Sequence, residues 1–237
     1  MVDIHSHILP SLDDGAETLE EAVAMASLAA QSGIYHIVAS SHGNYYPYTM
    51  EEYRDSFSRL QSTLKEREIP VKLYSGMEIF MDEQAVSMIE KGQLLPVNST
   101  NNLLIEFPFE ENPEKVCKYI ANLQRKKYNI ILAHPERFAF IQKDPELAYY
   151  LEETGCILQV NQGSILGEFG EKCRKLVLQM MNDNIVKVIA TDAHDTGYRS
   201  PSAQKLLRFL KKNYSSMEIH LWLSENPSRI LKGYPVV

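Results

Sequence analysis

Apolar runs rich in β-branched residues alternate with amphipathic segments along the whole chain, and this alternation constrains the fold more than any other feature. Seven such runs occur, and each precedes a stretch whose apolar residues have helical spacing. Strands that are continuously apolar are typical of a parallel sheet covered by helices on both faces. The sequence therefore predicts an α/β fold of seven β/α units, either closed into a barrel or open as a doubly wound sheet. The predicted strands are MVDIHSH, YHIVASSH, VKLYSGMEIF, NLLIEF, YNIILAH, CILQVN and IVKVIATDAH.

Capping signals mark several of the predicted helix starts. Thr18 with Glu21, and Thr49 with Glu52, have the spacing of a capping box, in which each side chain satisfies a free backbone amide. Asn112 stands directly before a proline, and this pair predicts a third start because proline fits the first helical turn. These signals support helices as the connections between the strands.

Side chains that can bind a metal stand at the C-terminal ends of six of the seven predicted strands, and the remaining strand ends at Asn161. In α/β barrels, chemistry is concentrated at this end of the strands. A carboxylate at the end of an apolar strand is costly to bury unless a cation is near it, and convergence at one barrel mouth supplies partners. We therefore favour the barrel over the open sheet. The candidate ligands are His5, His7, His42, Glu78, Glu106, His134, Asp192 and His194.

The spacing of these residues suggests more than one ion. Strand residues two apart point to the same side, so His5 and His7 form one pair and Asp192 and His194 form another. So many imidazoles and carboxylates exceed the needs of a single tetrahedral ion. Two or three ions are expected, with Glu78 near the centre as a bridge. Nitrogen and oxygen ligands without thiolate suit manganese, zinc or iron.

Phosphate chemistry is suggested by two arginines next to the ligand motifs. Arg137 follows His134 in the motif HPER, and Arg199 follows His194 in the motif TDAHDTGYR. A guanidinium group can bind phosphate oxygens through two parallel hydrogen bonds, although a lone arginine is as often part of a surface ion pair. A metal cluster of this kind activates water and stabilises charge on an attacked phosphoryl or acyl group.

Two loops carry further candidates. Asp13 and Asp14 follow the first predicted strand and either cap the next helix or join the site. Three tyrosines, Tyr45, Tyr46 and Tyr48, either line the mouth or form an ordinary packed loop.

Composition excludes several function classes. With 24 basic and 31 acidic residues, the net charge of −7 and the pI of about 5.5 give no electrostatic footprint for nucleic acid. No apolar run reaches the length of a membrane span, and the first motif leaves no room for a signal peptide. The three cysteines lack pairing motifs, which favours free thiols and the cytoplasm. Uninterrupted alternation without a linker predicts one domain over residues 1–237. The unpaired cysteines are Cys117, Cys156 and Cys173.

The motifs DIHSHILPSLDDG, SSH, GMEI, LIEFPF, AHPER and TDAHDTGYR resemble those of the polymerase-and-histidinol-phosphatase (PHP) superfamily. They are most similar to its bacterial branch of manganese-dependent protein tyrosine phosphatases from capsule and exopolysaccharide loci. The resemblance covers essentially the whole chain. It implies a distorted (β/α)7 barrel, similar to a TIM barrel, with three divalent metals at the C-terminal ends of the strands.

The resemblance also implies which residues hold each ion and the phosphate. Manganese is the implied metal, with iron or zinc as alternatives, and Arg137 and Arg199 match the phosphate-binding arginines. Asp14 matches a ligand position, although Asp13 is its neighbour. The implied sets are His5, His7, Glu78 and Asp192 for the first ion, Glu78, Glu106 and His134 for the second, and Asp14, His42 and His194 for the third.

The implied activity is metal-dependent hydrolysis of phosphotyrosine in a protein, most simply the tail of a bacterial tyrosine kinase, with a role in capsule or exopolysaccharide synthesis. A metal-bridging hydroxide attacks phosphorus, the arginines hold the phosphate, and Asp14, His42 or a metal-bound water assists the leaving group. Two alternatives are a phosphatase for a small molecule such as histidinol phosphate and a non-catalytic metal-binding module. Neither nucleic acid nor membrane insertion is expected, and the oligomeric state is left open.

Overall fold

The computed structural model describes residues 1–237, and its strands and helices alternate as the sequence predicts. The strands are β1 (Val2–Ser6), β2 (His36–Ala39), β3 (Lys72–Ser75), β4 (Glu78–Phe80), β5 (Asn102–Glu106), β6 (Asn129–Ala133), β7 (Ile157–Asn161) and β8 (Val186–Ala190). The helices are α1 (Leu19–Gln31), α2 (Met50–Glu66), α3 (Ala85–Glu90), α4 (Pro113–Arg125), α5 (Ala139–Lys143), α6 (Glu146–Glu153), α7 (Gln162–Leu166), α8 (Glu171–Asn182), α9 (Gln204–Asn213), α10 (Ser216–His220) and α11 (Asn226–Leu231). None of these helices combines the length and hydrophobicity that a membrane span requires.

All strand pairs are parallel, which confirms the predicted α/β class. The strands form two sheets, one in the order β1-β2-β3 and the other in the order β4-β5-β6-β7-β8. The two sheets meet at both edges. Ser6 bridges to Ala193 beyond β8, and His42 beyond β2 bridges to Glu78 at the start of β4. Single bridges, rather than a continuous ladder, therefore connect the sheets.

The third predicted strand is divided into β3 and β4, and a buried tyrosine accounts for the division. A side chain at Gly76 would place its Cβ 2.6 Å from Val38 Cγ1, so only glycine allows the strands to approach this closely. The Tyr53 hydroxyl accepts from Gly76 N–H at 3.1 Å and lies 2.9 Å from the carbonyl oxygens of Ala39 and Gly76. Tyr53 thus satisfies backbone groups that the ladder leaves free.

The helix ends agree with the predicted caps, with one correction. Thr49 and Glu52 form both hydrogen bonds of the capping box, whereas at α1 only Thr18 makes the expected bond. The carboxylate of Glu21 instead accepts from Glu17 N at 2.9 Å. The predicted box at α1 is therefore only half formed, because the Glu21 carboxylate binds the amide of Glu17 rather than that of Thr18.

The apolar interior has two parts. The larger cluster of 51 buried residues packs strands against the surrounding helices. The smaller cluster of 12 buried residues combines alternate strand side chains with two residues of α11, and Asn102 Nδ2 donates to the Ile230 carbonyl oxygen at 2.8 Å. The smaller cluster consists of Val2, Ile4, Val38, Val97, Leu104, Ile131, Ala133, Ile157, Val188, Ala190, Ile230 and Leu231.

The last helical segment, from Ser216 to Leu231, is continuous, but it is not one regular α-helix. A π-helical turn, Leu221–Glu225, separates α10 from α11. Pro227 has no N–H to donate and therefore cannot continue the α-helical ladder, and the wider turn lies immediately before it.

Truncation of Leu104 tests the packing of the smaller cluster. This side chain is fully buried, so Leu104→Ala should lower the free energy of unfolding by about 2–5 kcal/mol. Urea unfolding followed by circular dichroism measures the change. The matched control is Met217→Ala, because Met217 is 65% exposed and its truncation should change the free energy by less than about 0.5 kcal/mol. Equal effects of the two substitutions would contradict a packed interior.

Candidate metal centre

All nine predicted metal ligands lie together. Eight stand near or beyond the C-terminal ends of strands, whereas Glu78, predicted at the end of the third strand, is the first residue of β4 because that strand is divided. Their donor atoms form four overlapping groups, and within each group the atoms lie within 4.8 Å of one another. The two remaining histidines, His36 and His220, belong to none of these groups. The groups are His7, Asp14, His42 and His194; His5, His134 and Asp192; His5, His7 and Glu78; and His42, Glu78 and Glu106.

Two of these side chains stand on strained backbone. His134, directly after β6, has a φ of 35°, and Asp192, two residues after β8, has a φ of 50°. Residues other than glycine rarely adopt this left-handed region, and each instance costs on the order of 1–3 kcal/mol. Strain of this kind is concentrated at functional sites. Neither conformation could be predicted from the residue types alone.

One set of four donor atoms has the spacing of a metal coordination sphere. His5 Nε2 lies 3.3 Å from His7 Nε2, 3.2 Å from Glu78 Oε2 and 3.3 Å from Asp192 Oδ1. His7 Nε2 lies 3.2 Å and 3.5 Å from the same two carboxylate oxygens. An ion about 2.0–2.2 Å from each of four tetrahedral donors separates the donors by about 3.3–3.6 Å. The set therefore fits a divalent metal.

Glu78 is shared between two parts of the cluster. While its Oε2 faces His5 and His7, its Oε1 lies 3.0 Å from His134 Nε2. Glu106 Oε1 lies 2.9 Å from His42 Nδ1, yet this buried nitrogen has no hydrogen bond of acceptable geometry. Two potential metal-ligand atoms that lie this close without a hydrogen bond between them are positioned to bind a cation.

The structure separates the roles of the two adjacent aspartates. Asp14 Oδ1 lies 3.4 Å from His194 Nε2 and 3.6 Å from His42 Nε2, facing the cluster. The Asp13 carboxylate is fully buried behind it, where Oδ2 lies 2.8 Å from His7 Nδ1 and accepts from His42 N at 2.9 Å. Asp13 thus orients His7, while Asp14 is positioned to contact an ion.

A chain of amide side chains links two of the candidate ligands, and its member Gln159 was not predicted from the sequence. Asn161 Nδ2 donates to Asp192 Oδ2 at 2.6 Å, and Gln159 Nε2 donates to Asn161 Oδ1 at 2.8 Å. Gln159 Oε1 then lies 2.7 Å from His5 Nδ1, so this nitrogen carries the proton and His5 Nε2 is free to bind a metal. The sequence did contain a signal for this chain of amides, because Gln159 and Asn161 are separated by one residue in the otherwise apolar strand CILQVN.

The pKa values of the buried ligands explain why cations would stabilise this cluster. Burial by itself lowers the pKa of His5, but the carboxylates of Glu78 and Asp192 outweigh burial and raise it to about 9. The pKa of His7 is also raised well above its ordinary value, chiefly by Asp13 and Glu78 acting against burial. Burial raises the pKa of Glu78 and of Asp192, yet the nearby imidazoles hold both below the ordinary range. Glu78 and Asp192 are therefore ionised although they are buried, and each needs positive charge close to it.

Both predicted phosphate-binding arginines reach the edge of the cluster at Asp192. Arg199 Nη2 donates to Asp192 Oδ2 at 2.6 Å, and Arg137 Nη1 lies 3.6 Å from the same oxygen. The Arg137 guanidinium lies between the rings of Phe109 and Phe169, 4.6 Å and 4.5 Å from their centres. This packing fixes the orientation of its hydrogen-bond donors.

An aromatic cavity of about 450 Å³ opens beside the cluster. Of the three tyrosines considered from the sequence, Tyr45 and Tyr46 line it, whereas Tyr48 donates to the His42 carbonyl oxygen at 2.6 Å. The phenylalanines were not predicted because their positions depend on how the loops pack. The lining residues are Asp14, His42, Tyr45, Tyr46, Phe80, Glu106, Phe107, Pro108 and Phe109.

Comparisons with known proteins agree with this arrangement. The sequence profile of the family described as capsular polysaccharide synthesis, CpsB/CapC, matches residues 1–232. The tyrosine-protein phosphatase YwqE of Bacillus subtilis (strain 168) is 35% identical over 100% of this chain and 93% of its own length. The putative tyrosine-protein phosphatase CapC of Staphylococcus aureus is 33% identical over 93% of this chain and 88% of its own.

The fold is also similar to a solved structure. It comes from crystallographic work on YwqE from Bacillus subtilis and CpsB from Streptococcus pneumoniae, described there as unique metal-dependent tyrosine phosphatases. The TM-score is 0.92 at 34% identity, and the match covers 100% of this chain and 96% of that chain.

Metal binding should release protons, because His5 and His7 are protonated at neutral pH in the absence of a cation. The apparent affinity for Mn²⁺ should fall continuously as the pH is lowered below about 9, the raised pKa of His5 in the metal-free protein, because a proton must leave before the metal binds. Calorimetric titrations in buffers of different protonation enthalpy count the protons. His5→Gln should release about one fewer proton, whereas His36→Gln should match the unmodified chain. An affinity independent of pH would contradict protonation of these histidines in the metal-free protein.

Proposed function

The chain belongs to the CpsB/CapC family of capsular polysaccharide synthesis proteins, and from this we propose that it is a metal-dependent protein tyrosine phosphatase. One observation supports the proposal most strongly: nine potential ligands and two arginines converge beside an aromatic cavity. Ligands, phosphate-binding groups and a site for an aryl ring therefore adjoin one another. Its relatives YwqE and CpsB are named tyrosine-protein phosphatases. These names favour this activity over that of a histidinol-phosphate phosphatase or a non-catalytic module.

We assign three divalent ions to the cluster, with manganese as the metal and iron or zinc as alternatives. When bound, such ions lower the pKa of water and neutralise charge on a phosphoryl group. The donor spacing around His5 supports the first of the three sets and the position of Glu78 supports its bridging role. These sets differ from the four geometric groups, in which Glu106 lies with His42, and His134 lies with His5 and Asp192. Pair distances support the proposed sets, which are His5, His7, Glu78 and Asp192; Glu78, Glu106 and His134; and Asp14, His42 and His194.

Arg137 and Arg199 hold the phosphate in this proposal. Both guanidinium groups face the same oxygen of Asp192 and are about a quarter exposed, so each keeps donors for a phosphate at the cluster. Neither arginine lines the cavity itself, but Arg137 packs on Phe109, which does. Donors fixed in place before the reaction stabilise charge on the phosphoryl oxygens without reorganising. Phe109 and Phe169 restrain Arg137, while the Asp192 carboxylate restrains Arg199.

Asp14 and His42 line the cavity, so a phenyl ring bound there would bring the oxygen of the leaving group close to them. A phenol has a pKa of about 10, so a tyrosine leaving group requires only partial protonation. We assign assistance at this oxygen to these two residues. Asp14 remains 45% exposed at its side chain and can exchange protons with solvent.

The aromatic lining supports phosphotyrosine as the substrate class. The Tyr45 ring packs 5.5 Å from Tyr46 and 5.3 Å from Phe80, and the three rings form one wall of the cavity. Such rings suit a planar phenyl group better than a flexible alkyl phosphate. We propose a phosphorylated tyrosine kinase tail as the protein partner.

Three further assignments belong to the same proposal. The two sheets, bridged at both edges, form a distorted (β/α)7 barrel, and residues 1–237 constitute one domain. The cytoplasm is the compartment, because the three cysteines are free thiols and a kinase tail would meet the enzyme there.

Removal of Arg199 tests the assigned phosphate site. Arg199→Ala should lower kcat/KM for a phosphotyrosine peptide by about 10²-fold or more, since one donor aimed at developing charge is worth roughly that much. Elemental analysis should show unchanged metal content, and Arg125→Ala, at the end of α4, is the matched surface control. Lack of hydrolysis by the manganese-loaded protein, or full activity of Arg199→Ala, would refute the proposal.

The aromatic wall predicts a preference for aryl esters. Tyr45 is 62% exposed and is not a ligand, so Tyr45→Ala should raise KM for phosphotyrosine by about 3–10-fold, the usual value of one aromatic pair. Its KM for an alkyl phosphate should stay the same. Tyr150→Ala, which removes another half-exposed ring away from the cavity, serves as the control. A parallel change for both esters would show that the ring does not contact the substrate.

A further inference from the structure

A second cavity, of about 260 Å³, lies at the same end of the strands as the metal centre. It is formed by the segments that follow β7 and β8 and by the first turns of α9. We name it the α9 groove. Its polar and charged lining includes Gln162, Tyr198, Ser200, Ser202, Lys205 and Arg208.

The charge of this region is opposite to that of the whole chain. Between Asp195 and Glu218 the sequence contains five basic residues and no acidic residue, although the net charge of the protein is −7. Lys205 and Arg208 are exposed, and Arg208 Nε donates within the protein only to the Gln204 carbonyl oxygen, at 3.4 Å. Both cations are therefore available to a ligand.

The lining of the α9 groove includes the residues on both sides of Arg199 in the chain. Tyr198 and Ser200 flank Arg199 directly, and the Ser200 carbonyl oxygen accepts from Gln162 Nε2 at 2.7 Å. The other side of the loop is also fixed, because His194 N donates to the Arg199 carbonyl oxygen at 2.9 Å. A peptide whose phosphate contacts Arg199 can therefore extend into this groove.

We propose that the α9 groove binds an acidic segment next to the phosphotyrosine of the protein substrate. The inference rests on the proposed phosphatase function and adds a sequence preference to it. Lys205 and Arg208 supply the opposite charge, while the hydroxyl groups of Ser200 and Ser202 supply hydrogen-bond donors for carboxylates. Glu168 is the one acidic residue in the lining, so carboxylates meet little repulsion there.

Steady-state kinetics with two phosphotyrosine peptides test the proposal, one flanked by Asp and Glu and the other by Asn and Gln. The unmodified enzyme should prefer the acidic peptide by about fivefold in kcat/KM, and the preference should shrink with added salt. Lys205→Glu/Arg208→Glu should lose it through KM with kcat unchanged. The matched control is Lys211→Glu/Lys212→Glu, the same charge change on the same helix outside the groove, which should keep the preference.

Free phosphotyrosine separates this proposal from the phosphatase assignment. Both double variants should hydrolyse it as the unmodified enzyme does, which also shows that they are folded. Hydrolysis of phosphotyrosine with no preference between the peptides, or equal loss in both double variants, would overturn the groove and leave the phosphatase standing. No hydrolysis of any phosphotyrosine substrate would overturn both.

Discussion

The burial of carboxylates at the ends of apolar strands is the constraint on which the rest of the structure depends. Glu78 and Asp192 are almost fully removed from water, and each is acceptable there only because positive or neutral donors surround it. No single strand can supply those partners. The ends of β1, β6 and β8 and the start of β4 must therefore converge, and the bridges between the two sheets lie at Glu78 itself and at the residue next to Asp192.

This convergence divides the space inside the strands into two regions. The smaller apolar cluster and α11 exclude water along the strands up to Ala133 and Ala190, the last residues of β6 and β8, and beyond these the side chains become imidazoles and carboxylates. Between them, Gln159 and Asn161 pass hydrogen bonds from His5 to Asp192, so the polar region rests on a fixed polar layer. A rigid support of this kind holds ligand atoms at metal-binding distances better than mobile loops do.

Much of this arrangement could be predicted from the sequence, because apolar periodicity and the residue at each strand end are local features. The parallel α/β class and the convergence of eight of the candidate ligands follow from them, whereas Asp14 was assigned through the family resemblance. The division of the third predicted strand into β3 and β4 could not be predicted in this way. It depends on hydrogen bonds that Tyr53 of α2 makes with the backbone of the strands. The choice between Asp13 and Asp14 depends on which way a loop turns, and the aromatic lining depends on packing between distant loops. Tertiary contacts of this kind leave no periodic signal in the chain.

The bridge between Ser6 and Ala193 has a consequence for the way the protein is made. The ribosome synthesises His5 and His7 long before Asp192 and His194, because β2 to β8 lie between the two pairs in the chain. N-terminal segments can begin to fold during translation, but this centre cannot be completed until the last strand is available. Metal acquisition is thus a late step in biogenesis, and a truncated chain that ends before β8 lacks the residues that would close the site.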